Sequence, residues 1–315
     1  MGLLSSLFGG NKSEANKQEQ QEQKNFDILK YDGIRARNMH QFAYAIRCLK
    51  EAIALKEDTE AMEYLASSYI ATGSIEDARN VYNRLVELEP ENIKVLLSLA
   101  SVCFMLEDYT CMEQSCKKVI ELDDKNQSGY YLAAKAEKGM KEHLQAIVML
   151  TKAITCNEEF IEAYLLRAET LLEMSQPKEA LKDIEVILSR EAENEDALLL
   201  KGEIEVALEN FDESFKCLER VISLNPFNEK AYILKGTILL NQKKFDESIN
   251  NYDEALDLIP DNANLYKERG RAKLLKGDKQ GSIADMKKSM ELNPGGENQF
   301  NGNYNNFEQP KTGIY

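Results

Sequence analysis

Residues 231–260 read AYILKGTILLNQKKFDESINNYDEALDLIP. From Ala231 to Asn241 the apolar side chains recur at helical intervals, Gln242 to Lys244 interrupt them, and a second amphipathic run extends from Ser248 to Leu258. Pro260 ends it, because proline lacks an amide hydrogen and disfavours the helical conformation in the residue before it. The stretch therefore predicts helix, turn, helix. Its proline is one of a set: Pro90, Pro226, Pro260 and Pro294 are 136, 34 and 34 residues apart, four periods of 34 and then one each.

Other columns keep the same register. Small residues recur as Gly33, Ala66, Ala100, Ala134, Ala168, Gly202, Gly236 and Gly270. Twelve positions later stand Ala45, Ala78, Met112, Ala146, Ala180, Ser214, Ser248 and Ser282. Four beyond those comes a larger, mostly apolar set: Leu49, Tyr82, Cys116, Leu150, Ile184, Leu218, Tyr252 and Met286. Small side chains in two columns let paired helices approach closely, and the apolar column fills the remaining space.

Composition agrees. The 315 residues contain only 6 prolines and 16 glycines, too few turn formers for a β-sandwich or a proline-rich chain. A net charge of -15 repels polyanions and argues against nucleic-acid binding. No apolar run reaches the ~18 residues of a membrane span, and no secretory leader is visible. The six cysteines are expected as free thiols in a cytoplasmic protein.

With its period of 34, its two small columns, an aromatic at the inter-helix turn (Phe42, Tyr109, Phe211, Phe245) and closing runs such as Glu87-Leu88-Glu89-Pro90 and Glu291-Leu292-Asn293-Pro294, the chain resembles the tetratricopeptide repeat family. His143 and Pro177 depart from the turn column, and tryptophan is absent. The resemblance implies an all-α, right-handed superhelical α-solenoid of about eight helix-turn-helix repeats. They would occupy residues 26–295, between a mobile N-terminal segment, 1–25, and a disordered Asn/Gly-rich tail, 296–315.

It also implies that the first helix of each repeat lines a concave face. Three residues before the small column the chain reads Lys30, Glu63, Leu97, Tyr131, Leu165, Leu199, Ile233 and Lys267. Four residues after it come Arg37, Ile70, Phe104, Lys138, Leu172, Val206, Leu240 and Leu274. A mostly apolar floor on a face that would meet water suggests a groove for a protein or peptide partner, formed by Leu97, Phe104, Tyr131, Leu165, Leu172, Leu199, Val206, Ile233 and Leu240. The alternative reading has these side chains packing between adjacent first helices. A carboxylate clamp of the kind that relatives use on chaperone C-termini is not matched, since Lys30 is followed four residues on by Ile34 and Lys267 by Arg271.

No catalytic, nucleotide-binding or metal motif occurs, so the expectation is a non-enzymatic scaffold or adaptor without cofactor or metal. Cys103, Cys111 and Cys116 lack the spacing of a zinc site, and a packing or surface role is expected for them. The second reading of function is a membrane-tethered assembly or co-chaperone factor localised by residues 1–10. There Gly2 and Ser6 fit an N-myristoylation pattern, while Leu3, Leu4, Leu7 and Phe8 offer an apolar face for weak membrane contact or for docking on the array's open end. A disordered leader is the plainer alternative. At the other end Ser289 stands where Ala52, Ala153 and Ala255 stand in other copies, a partly blunted edge beside Ile283, Met286 and Met290 from which end-to-end self-association is a further expectation.

Overall fold

The computed structural model describes residues 5–294, with side chains from Gln18 onward. Among the described residues there are sixteen α-helices and no strand: the protein is an all-α helical-repeat solenoid. The chain forms two compact units, Met1–Glu158 and Glu159–Tyr315. The first contains α1 (Ser5–Asn38), α2 (Phe42–Leu55), α3 (Thr59–Ala71), α4 (Ile75–Leu88), α5 (Ile93–Met105), α6 (Tyr109–Leu122), α7 (Gln127–Gly139) and α8 (His143–Cys156). The second contains α9 (Ile161–Glu173), α10 (Pro177–Arg190), α11 (Glu195–Ala207), α12 (Phe211–Leu224), α13 (Glu229–Asn241), α14 (Phe245–Leu258), α15 (Ala263–Lys276) and α16 (Lys279–Leu292). From α3 onward the first helices of the pairs begin at residues 59, 93, 127, 161, 195, 229 and 263, so the sequence period is the structural period.

Two local devices repeat with it. The residue before each first helix from α3 on is Asp58, Asn92, Asn126, Phe160, Asn194, Asn228 or Asn262, and all but Phe160 accept a hydrogen bond from the amide three residues later. Each such cap satisfies an otherwise unpaired donor and contributes about 1 kcal/mol. At the other end of the first helix the chain turns through a left-handed residue: His40, Gly73, Glu107, Lys141, Ser175, Glu209, Lys243 and Gly277. Backbone bonds close that turn, as where Glu107 N donates to Phe104 O at 3.0 Å and Asp108 N to Cys103 O at 2.9 Å. Pro177 takes the first position of α10, where its missing N–H costs nothing.

The small columns sit where paired helices meet. A Cβ added to Gly33 would lie 2.6 Å from Leu49 Cγ, and one on Gly202 3.1 Å from Leu218 Cδ2. Where serine replaces alanine in the facing column, its hydroxyl donates to the glycine carbonyl: Ser214 Oγ to Gly202 O at 2.9 Å and Ser248 Oγ to Gly236 O at 3.0 Å. In the second unit buried ion pairs join paired helices as well. Arg167 holds Asp183 through two bonds of 2.8 and 2.6 Å, and Arg269 holds Asp285 through two of 2.9 and 2.7 Å. Lys273 adds a contact to Asp285 at 2.8 Å.

α1 begins at Ser5; residues 18–25 expose their side chains, and helix-favouring Gln and Glu link along it, as from Gln18 to Glu22 at 3.1 Å. Two sequence expectations change here. Cys103 and Cys111 are joined in a disulfide rather than free, because the tight turn brings the end of α5 and the start of α6 to a Cα separation of 5.9 Å. Ser289 does not blunt an open edge: it is buried, and its hydroxyl donates to Ala263 O at 2.8 Å, while Ile283 and Met290 are exposed. The tail, 296–315, and the side chains of residues 1–10 lie outside the described residues. No described helix is long and apolar enough to cross a membrane.

Candidate functional site

Adjacent first helices touch one another directly, α1 with α3 and α5 with α7 in the first unit and α9, α11, α13 and α15 in series in the second. That approach sets neighbouring copies of each first-helix column side by side. What the columns then present differs between the units.

In the first unit, Leu97 and Tyr131 are half-buried and Phe104 is 37% exposed. Lys135, one turn beyond Tyr131 on α7, lies with its ammonium 3.8 Å from the Phe104 ring centroid and 5.9 Å from that of Tyr131. A cation against two π faces is held electrostatically, and Tyr109 closes the group at 6.4 Å from Phe104. Burial pushes the Lys135 ammonium below its ordinary value. This is an aromatic and cationic patch.

In the second unit, Leu165, Leu172, Val206 and Ile233 are half-buried. Leu199 and Leu240 are only 8% and 6% exposed and belong to the cores, Leu199 with Leu218 and Ile238, Leu240 with Tyr252 and Leu265. Leu240 thus matches the alternative reading, a side chain covered by the neighbouring helices. Leu165, Leu172 and Leu199 come together with Leu200 around a cavity of about 430 Å³. Glu169, Glu173, Asp196 and Glu203 also line it, as does one cation, Lys230 at the start of α13. Burial pushes the Glu203 carboxyl above its usual range; the Lys230 ammonium opposes the shift and the Glu169 carboxylate adds to it.

The nine predicted residues therefore divide by position: Leu97, Phe104 and Tyr131 in the first unit; Leu165, Leu172 and the buried Leu199 at the cavity; Val206 and Ile233 half-buried outside it; and Leu240 in the core. Glu169, Glu203 and Lys135 were missed. They share one column, one residue after the small one, which reads Ser67, Ser101, Lys135, Glu169 and Glu203 across α3 to α11. The run from neutral to charged side chains was the available signal.

An array of helix pairs with an accessible first-helix row is the build of a helical-repeat interaction protein. Comparison with known proteins makes the class specific. A family model described as tetratricopeptide repeat matches residues 33–93, and the model of the tetratricopeptide repeat protein 21 C-terminal ARM domain matches residues 125–265. The chain belongs to the tetratricopeptide repeat proteins, whose fold commonly serves as a protein–protein interaction scaffold.

Solved structures share the fold at low identity. A tetratricopeptide repeat protein from Parabacteroides merdae is 20% identical over 76% of this chain and 94% of its own, with a TM-score of 0.62. A chain of the APC/C hetero-tetramer Cut9-Hcn1 is 14% identical over 81% of this chain and 50% of its own, with a TM-score of 0.56. The pilF protein of Pseudomonas aeruginosa is 16% identical over 67% of this chain and 96% of its own, with a TM-score of 0.53.

Proposed function

We propose that this protein is a non-enzymatic scaffold that holds a protein or peptide segment against its first-helix faces. Leu97, Phe104 and Tyr131 would serve in the first unit and Leu165, Leu172, Val206 and Ile233 in the second, with Leu199 closing the cavity floor, while Leu240, packed in the core with Tyr252 and Leu265, would not meet the partner. The observation that carries this reading is the cavity among Leu165, Leu172 and Leu199, which leaves aliphatic surface accessible on the first-helix face. The exposed Phe104 ring supports it from the other unit.

Affinity capture from the native host, with the bound proteins identified by mass spectrometry, tests it. The Tyr131→Lys/Leu165→Lys variant is expected to lose the partner that the wild-type chain retains, with its helical circular dichroism and melting temperature unchanged. Retained partner together with lowered stability would mean that these side chains serve packing alone.

A further inference from the structure

The outer faces of α1 and α16, the first and last described helices, expose positions that the inner junctions cover. Between pairs, side chains of a second helix pack on the first helix that follows. Phe215, Leu218 and Ile222 of α12 share a cluster with Ala231 and Ile238 of α13, and Ile249, Tyr252 and Leu256 of α14 share one with Leu265 and Ala272 of α15. The same columns on α16 hold Ile283, Met286 and Met290. No described helix follows α16, and Met290 is 40% exposed where Leu256 is 6%. On α1 the position that matches Ala231 and Leu265, both fully buried, is Ile28, which is 50% exposed, and Tyr31 and Met39 extend the same exposed helix face.

Charge follows the columns too. Glu219 of α12 meets Lys235 of α13 at 3.3 Å, and Asp253 of α14 meets Arg269 of α15 at 2.6 Å, in each case a second-helix acid and a first-helix base sixteen residues on. On α16 that second-helix position is Lys287, which is exposed. On α1 that first-helix position is Asp32, the one acid in a column that otherwise reads Leu65, Leu99, Ala133, Arg167, Lys201, Lys235 and Arg269. Lysine is ordinary at the second-helix position, where Lys50 and Lys117 also stand, so Asp32 is what sets the pairing apart. Asp32 lies 3.7 Å from Arg35 of its own helix, an exposed pair of the kind that contributes little.

We propose that these two faces meet each other in a head-to-tail contact between copies of this chain: Ile283, Met286 and Met290 of one copy pack on Ile28 and the adjoining surface of α1 in the next, and Lys287 of the one pairs with Asp32 of the other. The contact continues the repeat-to-repeat interface already present within the chain. That shared register and the complementary charges favour a second copy over a foreign partner. Arg35 is the departure, standing where Ser68, Ile204 and Ile238 are buried; its stem can cover apolar surface while its guanidinium stays in water. α1 also starts early, at Ser5, whereas the position matching the start of α3 is Phe26, and in this register its extra turns run on past the end of α16. The two faces differ, so association adds copies in line unless a ring closes. A net charge of -15 on each copy opposes the approach, which places the contact among weak interfaces.

Sedimentation velocity of the full chain, from micromolar to several hundred micromolar, tests this. The weight-average sedimentation coefficient is expected to rise with concentration. Ile283→Asp/Met290→Asp should weaken the association at least about tenfold. Asp32→Lys and Lys287→Asp should each weaken it about three- to fivefold, and the chain carrying both changes should recover most of the loss, with helical circular dichroism unchanged throughout. Photoreactive benzoylphenylalanine at position 290, in a mixture of isotopically light and heavy copies, is expected to join residues 28–39 of a second copy. A monomer at every concentration overturns the inference, as does association that these variants leave unchanged or that the charge swap fails to restore. An adduct from position 290 to residues 296–315 of the same copy would give the face to the chain's own tail and overturn it as well. Partner capture judges the scaffold reading separately.

Discussion

The two units share a period and helix lengths but differ in what joins their helix pairs. Immediately before the small column the first unit has half-buried Asp32 in its first copy and buried Leu65, Leu99 and Ala133 in the next three, whereas the second has Arg167, Lys201, Lys235 and Arg269. Sixteen residues on, Cys48, Val81, Ser115 and Met149 correspond to Asp183, Cys217, Asn251 and Asp285. An apolar contact in one unit thus corresponds to a bidentate ion pair in two pairs of the other. The same repeat geometry tolerates both because the small columns set the close approach of the helices, leaving adjoining positions to be filled by dispersion or by charge. Solvent-facing columns vary with still fewer constraints, and that freedom allows an aromatic and cationic patch in one unit and a leucine and carboxylate cavity in the other.

Breaking the ionic joint should produce the largest effect. Asp285→Ala leaves Arg269 and Lys273 facing a largely buried site without its carboxylate, and is expected to cost about 3 kcal/mol or more in urea unfolding of the full chain. The matching change in the first unit, Ser115→Ala, removes only a hydroxyl bonded to Cys111 O within its own helix and should cost less than about 1 kcal/mol. Equal losses would remove the distinction between the units.

The close-approach column comes next. Gly236→Ala puts a methyl group into the fully buried Tyr252 ring, and should destabilise by about 1–3 kcal/mol although alanine is the better helix former. Ala134→Gly, in the same column of the first unit, should cost about 1 kcal/mol through helix propensity alone. Acid sharpens the comparison further. Burial alone would raise the Asp285 carboxyl, but hydrogen bonds and charge from Arg269 and Lys273 outweigh it and hold the group below its usual range. A carboxyl lowered in the folded state contributes stability that is complete above its unfolded value, about pH 4, and is lost as pH falls through the lower folded value. Wild-type stability should therefore fall more steeply than that of Asp285→Asn below about pH 4 when both are followed by circular dichroism. The smallest effect is expected at the turns: Lys141→Gly relieves a left-handed non-glycine residue and should stabilise by up to about 1 kcal/mol in the same urea assay.

What could be read from the sequence followed from repetition. Gly33 through Gly270, the facing column, Ala or Ser in every copy but the third, where it is Met112, and the mostly apolar column recur through all eight copies, so they stand out without any structure. Features present in few copies did not. Arg167–Asp183 and Arg269–Asp285 occur in two pairs and span sixteen residues, a separation that carries meaning only once two helices are folded together. The Cys103–Cys111 bond depends on the turn conformation rather than on a cysteine pattern. The burial of Leu240 beside half-buried Ile233 reflects how closely first helices approach, which hydrophobicity alone does not encode.

The central claim is that partners engage the first-helix face. Phe104 is exposed on that face and Val148 is exposed on the second helix α8 of the same unit, so the two form a matched pair of probes. Replacing each in turn with photoreactive benzoylphenylalanine and irradiating in extract of the native host measures which face is occupied. The account predicts a discrete partner adduct from position 104 and none from position 148; adducts from 148 alone, or equally from both, would contradict it.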